Sequence, residues 1–170
     1  MPKLFYALWP DDDVRLRVAR HAIEIARDAE GRATRAESLH MTLSFLGQIP
    51  DERIPELEAC AQAVFARPFN FELNRAACFL RANVAWLGST QTPQELFDLQ
   101  ALLQAELVMA DFKVDTRPFM PHVTVARGIQ VALPLRDIPP ILWAARTFCL
   151  VKSVKDASGS HYEVVNTWKL

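Results

Sequence analysis

The sequence predicts an α+β fold built on antiparallel sheets, and three observations support this prediction. Strand-like and helix-like segments are interspersed, and many strand-like neighbours are separated only by short turn sequences, as in hairpins. Two strand-like segments repeat a His-x-Thr pattern, and their histidines, His40 and His122, lie about half the chain apart. The hairpin-like neighbours favour antiparallel pairing over a doubly wound parallel sheet. The repeat suggests two similar lobes that each offer one motif strand to a shared cleft.

The chain alternates strands and helices in its first half. A helix is predicted from the N-cap Asp11 to about Ala29, because apolar residues recur at helical spacing and Gly31 follows. A second helix is predicted from the N-cap Asp51 to about Ala66, with Phe65 on its buried face. The segment 32–37 is predicted to be a polar, basic loop. Strands are predicted at residues 4–9, 39–47, 69–80 with a bulge or bend, and 84–87.

The second half begins with the clearest boundary in the sequence. Residues 92–95, Thr-Pro-Gln-Glu, form a predicted capping box, and leucines at helical spacing continue the helix to about Ala110. Residues 128–140 contain three prolines and are predicted to be irregular, and 156–159 to form a hairpin turn. Strands are predicted at residues 112–116, 121–126, 144–154 and 161–168.

Composition indicates one ordinary globular domain. The chain has 170 residues, of which 51% are hydrophobic and 23% charged, so residues 1–170 can form a single domain of two lobes that share a core. The formal net charge of -1 argues against binding nucleic acid or membranes through bulk charge. Any anionic ligand must therefore meet a local cluster of donors. No apolar run reaches the roughly 20 residues of a transmembrane helix.

The cysteines indicate a reducing compartment. Cys60, Cys78 and Cys149 are odd in number and far apart, and no Cys-x-x-Cys pair is present. This pattern argues against a disulfide framework and against a thiolate zinc site, so each is expected to fill space as a small hydrophobe. A cytoplasmic location fits this pattern.

The two His-x-Thr segments carry the candidate chemistry. Strand alternation directs His40, Thr42 and Ser44 to one face of the first segment, opposite the apolar face that includes Phe45. His122 and Thr124 share a face in the second segment. Two histidines across a cleft can supply a general base and a general acid near neutral pH.

The threonines and one arginine complete a candidate anion site. Thr42 and Thr124 can each donate a hydrogen bond to a phosphoryl oxygen. Arg127 is the local cation, but strict alternation puts it on the face opposite Thr124. A bend after Ala126, or the length of the arginine, must therefore bring its charge round. No metal is needed for this chemistry.

These residues resemble a known family. The segments His-Met-Thr-Leu-Ser-Phe-Leu-Gly at 40–47 and Arg-Pro-Phe-Met-Pro-His-Val-Thr-Val-Ala-Arg at 117–127 are similar to the two signatures of the two-histidine phosphoesterases. Within that superfamily they most resemble the LigT-like RNA 2',3'-cyclic phosphodiesterases, historically called 2'-5' RNA ligases. The resemblance extends along most of the chain, including the opening strand and the segment Val-Ala-Trp-Leu-Gly at 84–88.

The resemblance implies a bilobal, pseudo-symmetric fold with the two histidines across a central groove. The implied reaction opens a ribose 2',3'-cyclic phosphate to a 2'-phosphate, with His40 as the acid for the leaving 3'-oxygen and His122 as the base for water. It implies that Thr42 and Thr124 contact phosphate. The expected partners are RNA 3' ends or nucleotides bearing the cyclic phosphate. We expect no cofactor, no metal, no membrane partner and a monomer.

Three assignments have competing interpretations. The resemblance implies that Arg127 contacts the ligand and that Phe45 lies near the nucleoside, whereas a solvated arginine and a packed phenylalanine are the structural alternatives. Relatives often carry a basic Arg-x-x-Tyr-like stretch before the last strand, and this chain has Gly-Ser-His-Tyr-Glu at 159–163 instead. The run Arg-Ala-Thr-Arg at 32–35 is either a solvated loop or a contact for an RNA phosphate.

Several functions other than hydrolysis of an RNA end are compatible with the sequence. A 5'-hydroxyl could replace water in a reversible 2'-5' ligation, and the substrate could be another small cyclic phosphate or a 2'-5' oligonucleotide. A module that binds RNA ends without turnover would not require both histidines. A metallohydrolase would need a third ligand beside His40 and His122, and the sequence supplies none at a suitable spacing.

Overall fold

The computed structural model describes residues 1–157 and 159–170, and within these ranges the fold is α+β with nine strands and three α-helices. All strand pairs are antiparallel, as predicted. The elements are, in chain order, β1 (Lys3–Leu8), α1 (Asp12–Asp28), β2 (Arg32–Ala33), β3 (Met41–Gln48), α2 (Ile54–Gln62), β4 (Phe69–Phe79), β5 (Val84–Gly88), α3 (Gln94–Met109), β6 (Val123–Arg127), β7 (Arg136–Ala145), β8 (Thr147–Asp156) and β9 (Gly159–Lys169).

The sheet consists of two half-sheets that meet at the two motif strands. The strand order is β7-β4-β5-β6-β3-β1-β8-β9, and β2 adds to β6. The register between β3 and β6 includes one pair, Met41 with Val123. We call β3, β1, β8 and β9 the first half-sheet and β6, β5, β4 and β7 the second. Each contains a strand-helix-strand path, β1-α1-β3 in the first and β5-α3-β6 in the second.

The two half-sheets share one hydrophobic core. Helix α1 packs against β6 and β2, whereas α3 contacts β3 and α2, so each helix contacts the motif strand that does not follow it. The buried core cluster includes side chains from both half-sheets, and Tyr6 within it donates a hydrogen bond of 2.6 Å to the carbonyl of Leu57. Strands β8 and β9 return the chain to the first half-sheet. The single-domain organisation remains a prediction, which this shared core favours.

The helices differ from prediction mainly at their ends. Asp11 caps α1 by accepting a hydrogen bond of 2.9 Å from the Val14 amide, as predicted. The predicted capping box of α3 is wrong, because Pro93 occupies the N-cap and has no side chain that could bond to the helix. Residues 51–53 form a 3₁₀ turn, and α2 ends at Gln62 where the chain turns towards β4. Phe65 lies beyond this end and is 87% exposed, so its predicted burial is wrong.

The strand predictions fail where the sequence contains few local signals. Residues 112–116 belong to no strand; Phe112 instead packs beneath the guanidinium of Arg53. Strand β7 begins within the segment predicted to be irregular and includes two prolines, which an edge strand tolerates because one side of its backbone needs no partner. The predicted strand 144–154 is two strands that break at Arg146. The Arg146 guanidinium donates to the carbonyls of Phe69 and Ala145.

The predicted loop 32–37 contains the short strand β2 and the start of a 3₁₀ turn at 36–38. The predicted hairpin turn 156–159 includes Ser158, which lies outside the described residues. Cys60, Cys78 and Cys149 are all unpaired thiols. None of the helices in the described ranges is long and apolar enough to span a membrane.

Candidate active site

Both motif histidines lie just before their strands, and the backbone holds both rings in the same way. His40 Nδ1 lies 2.8 Å from the Ser38 carbonyl, and His122 Nδ1 lies 2.7 Å from the Met120 carbonyl. A carbonyl can only accept, so each Nδ1 carries a proton and donates it. The Nε2 atom of each neutral ring is therefore left to take up or release a proton. His40 Nε2 also lies 3.1 Å from Thr42 Oγ1.

A β-bulge in β6 brings Arg127 to the same face as Thr124. In the pairing of β5 with β6, Ala85 faces Ala126 and Trp86 faces Thr124, so Val125 is an extra residue. The extra residue interrupts the alternation of side chains. Arg127 consequently shares a face with Thr124, which strict alternation forbids.

The same device in β3 overturns two predicted orientations. Ala7 pairs with Thr42 and Tyr6 with Ser44, so Leu43 is the extra residue. Ser44 therefore leaves the motif face and is 97% buried, whereas the sequence predicted it beside Thr42. Phe45 pairs with Phe5 and takes the motif face instead of the predicted apolar face; it is 53% exposed.

The motif face lines a cavity of about 670 Å³ that collects most of the predicted site residues. His40, Thr42, His122, Thr124 and Arg127 line it, whereas Phe45 does not. The other lining residues are Arg32, Ala33, Thr34, Arg35, Ser38, Ser160 and Tyr162. The cavity thus brings together the two histidines, both motif threonines and the predicted arginine.

The charge of this cavity suits an anion. Arg32, Arg35 and Arg127 line it, and none of the described lining residues is acidic. In such a partly enclosed site, three guanidiniums raise the local concentration of anions well beyond what a net charge of -1 would give. This is the local donor cluster that the composition required.

The surroundings of both histidines favour the neutral form in the free protein. Burial lowers the pKa of His40 to about 4, with further lowering by the charges of Arg127 and His122, against the opposing hydrogen bond to Ser38. Burial also lowers the pKa of His122, and the charge of Arg127 acts in the same direction, against the hydrogen bond to Met120. An anionic partner would favour the imidazolium form at either position.

Aromatic rings account for much of this burial. Trp9 stacks on His40 with ring centroids 5.6 Å apart, while Phe5 and Tyr162 contact the same ring at 4.8 and 5.2 Å. On the other side, Phe79 meets His122 edge-on with centroids 5.0 Å apart. The packing restricts both imidazole rings, which favours a fixed direction for each Nε2.

Sequence reasoning missed most of these surrounding residues. Trp9 and Phe5 belong to the opening strand and its end, where the sequence indicated only an apolar segment. Ser160 and Tyr162 alternate on β9, within the stretch that departs from the family pattern. Their alternation was the available signal, because it predicts that they share a face.

In the described part of the chain, no three His, Cys, Asp or Glu side chains are grouped so that they could hold a metal ion. His40 and His122 are the only residues of these four types among the described lining residues. The histidines, threonines and arginines that line the cavity can supply proton transfer and anion binding.

Comparison with known proteins gives a consistent result. The sequence profile of the 2'-5' RNA ligase superfamily matches residues 10–157. An RNA 2',3'-cyclic phosphodiesterase of Escherichia coli is 28% identical over 170 residues, covering 99% of this chain and 96% of that protein. A Thermus thermophilus protein of the same name is 26% identical, with 99% and 90% covered.

Solved structures agree in fold along the whole chain. The crystal structure of Escherichia coli LigT complexed with 3'-AMP superposes with a TM-score of 0.89 at 28% identity, covering 100% of this chain and 99% of that one. A Thermus thermophilus structure superposes with a TM-score of 0.86 at 24% identity, covering 99% and 97%. The second likeness concerns the fold alone.

Proposed function

The chain belongs to the 2'-5' RNA ligase superfamily, and on this premise we propose that it hydrolyses terminal RNA or nucleoside 2',3'-cyclic phosphates to 2'-phosphates. One observation carries the proposal: two histidines with Nδ1 held by backbone carbonyls line one cavity with two threonines and an arginine. Relatives that match nearly the whole chain bear the name of this activity, which supports the proposed substrate.

The proposed reaction is an in-line displacement at phosphorus. Water attacks the phosphorus atom while one neutral imidazole removes its proton, and the bond from phosphorus to the ribose 3'-oxygen breaks. The other histidine, as imidazolium, donates a proton to the leaving oxygen. Thr42 and Thr124 donate hydrogen bonds to the non-bridging oxygens, and Arg127 offsets the negative charge that develops on them. One histidine gains a proton and the other loses one, so exchange with solvent resets the pair.

The roles of the two histidines follow from the family resemblance, with His40 as the acid and His122 as the base. The low pKa of His40 opposes this order in the free protein, because a general acid must be protonated before it can act. The substrate supplies the missing partner, since an anionic phosphate between the histidines favours the imidazolium form. Substrate binding and protonation of the acid are thus coupled in this proposal.

Metal independence belongs to the same proposal. The acid, the base and the cations that the reaction needs are all side chains of the cavity. We further propose that the chain acts as a monomer in the cytoplasm and that residues 1–170 fold as one domain. Size-exclusion chromatography with light scattering tests whether the chain is a monomer.

The decisive experiment measures release of 2'-phosphate from a nucleoside 2',3'-cyclic phosphate in the presence of EDTA. We expect turnover by the wild type and a loss of about 10²- to 10⁴-fold in kcat in His40→Ala and in His122→Ala. The product must be the 2'-phosphate, which reports cleavage of the bond to the 3'-oxygen. Unchanged activity in either variant contradicts the paired mechanism, and loss of activity in EDTA contradicts metal independence.

Two alternative functions would use the same cavity. A 5'-hydroxyl in place of water would form a 2'-5' linkage, a reaction favoured only by the family name and opposed by the large excess of water. A module that binds RNA ends without turnover would show affinity for the cyclic phosphate end but no product. The experiment above separates both from hydrolysis when a 5'-hydroxyl oligonucleotide is included as a third reactant.

A further inference from the structure

The short strand β2 sets a second arginine beside Arg127. Arg32 pairs with Arg127 in the antiparallel ladder between β2 and β6, and both side chains line the cavity. Paired residues on neighbouring strands direct their side chains to the same face. Arg35, three residues further on, also lines the cavity. Two segments of the chain thus bring three guanidiniums to one cavity.

No described residue supplies a counter-ion to these three guanidiniums. Within the described residues, Arg32, Arg35 and Arg127 make no ion pair and no side-chain hydrogen bond, whereas Arg53 pairs with Glu56 and Arg117 with Asp115. Like charges opposite each other across a ladder destabilise it. The pairing of Arg32 with Arg127 therefore has a cost that bound anions would remove.

One reacting phosphate does not account for all of these donors. A 2',3'-cyclic phosphate carries a single negative charge, and the two histidines, the two threonines and Arg127 already surround the position proposed for it. Arg32 and Arg35 also line the cavity and are not used by this phosphate. The charge of this segment is therefore available to a second group.

We propose that Arg32 and Arg35 bind a second, non-reacting phosphate, the one on the 5' side of the terminal nucleotide. The inference rests on the proposed function and narrows its substrate to ends that carry this phosphate, which an RNA 3' end has and a nucleoside cyclic phosphate lacks. The backbones of neighbouring strands, here those of Arg32 and Arg127, lie about 5 Å apart. Because arginine side chains are long, their guanidiniums can bind two phosphates that are separated by one nucleotide. Guanidiniums suit a phosphate because they donate in pairs.

The test compares three substrates that differ by one group at a time. They are a nucleoside 2',3'-cyclic phosphate, the same compound with a 5'-phosphate, and a dinucleotide ending in the cyclic phosphate. We expect kcat/KM of the wild type to rise by roughly tenfold or more on adding the 5'-phosphate, and little further with the second nucleoside. Arg32→Gln and Arg35→Gln should each reduce that gain several-fold, and the double variant should abolish it.

Arg67→Gln is the matched control, because Arg67 is exposed and does not line the cavity. This variant should keep the wild-type ratio of kcat/KM between the two mononucleotides. The salt dependence gives a second readout: kcat/KM for the 5'-phosphorylated compound should fall less steeply with added salt in Arg32→Gln than in the wild type, because salt screens the charge interaction that this variant lacks.

The possible outcomes separate this inference from the function on which it rests. A gain that appears only with the second nucleoside, or that survives in the double variant, overturns the second phosphate site but leaves the proposed hydrolysis intact. Equal kcat/KM for all three substrates does the same. No hydrolysis of any of the three by the wild type overturns the proposed function and this inference with it.

Discussion

The two motif strands use the same backbone device but place it in different surroundings. Directly before β3 and directly before β6, a histidine bonds through Nδ1 to the carbonyl two residues earlier, and a threonine follows two residues after the histidine. A bulge after that threonine then turns the fifth residue after the histidine to the same face. That residue is Phe45 in one strand and Arg127 in the other. The repeated backbone conformation therefore places the histidine and the threonine alike in both motifs. The residue after the bulge differs, being aromatic in one strand and cationic in the other.

The surroundings of the two rings differ in a way that affects protonation. His40 is enclosed by Trp9, Phe5 and Tyr162, and its pKa is lowered to about 4. His122 contacts Phe79 and the edge of Trp86. The charges of both Arg127 and His122 act against protonation of His40, whereas Arg127 is the charge that acts against His122. Equal geometry therefore does not imply equal ease of protonation.

The largest effect is expected from loss of a motif histidine, and it should not grow when both histidines are removed together. If the histidines act as one acid-base unit, the double variant His40→Ala/His122→Ala should lose no more activity than the weaker single variant, about 10²- to 10⁴-fold. Rates of 2'-phosphate release from one cyclic phosphate under saturating conditions give this comparison. Additive losses in the double variant would mean that the two histidines act independently. Circular dichroism of all three variants controls for folding.

The difference in protonation predicts a dependence of stability on pH that is greater at His40. Its pKa is about 4 in the folded protein and 6.5 in the unfolded chain, so the unfolded state binds more protons between these values. Stability is therefore complete above pH 6.5 and decreases as the pH falls towards 4, by about 3 kcal/mol from this residue. Urea denaturation at several pH values should show a shallower decrease for His40→Asn than for the wild type.

His122→Asn is the matched comparison for that measurement. The pKa of His122 is lowered too, so its removal should change the slope in the same direction. The same carboxylates titrate in both variants. Their contribution to the pH dependence of stability is therefore the same and cancels when the two variants are compared. A slope identical to that of the wild type in His40→Asn would contradict the buried, neutral state assigned to this ring.

Arg127 links the two halves, and its loss should affect both histidines. Arg127→Gln should lower kcat/KM about 10- to 100-fold, because a charge-assisted contact to phosphate is replaced by a neutral one. The same change removes a charge that lowers both pKa values, so the alkaline limb of the kcat/KM profile should move to higher pH. Arg127→Lys should retain the position of that limb. An alkaline limb that does not move in Arg127→Gln would contradict the effect of the Arg127 charge on the histidine pKa values. Arg20→Gln, at an exposed position on α1, is the control.

The sequence predicted the pair of histidines and most strands, but it could not predict the bulges. Alternation is a local rule, and it placed Arg127 on the wrong face and Ser44 on the motif face. The inserted residues Val125 and Leu43 become visible only in the pairing with β5 and β1, which are distant in sequence. For the same reason, the break at Arg146 between two apolar segments left no signal. The elements that were predicted correctly, such as α1 with its cap at Asp11, depend on contacts between residues close in sequence.

The smallest expected effect concerns Phe45, the counterpart of Arg127. Its ring shares the face of Phe5 and is 53% exposed outside the cavity lining, so we propose that it contacts the terminal base. Phe45→Ala should raise KM about fivefold, the lower end of the loss expected for one stacked base because the ring is half exposed, and should leave the pH profile unchanged because no charge is altered. Phe45→Tyr, which keeps the ring, should behave like the wild type. An unchanged KM in Phe45→Ala would restrict ligand contacts in β3 to its first residues, and the resemblance of the two motif strands would then end at the bulge.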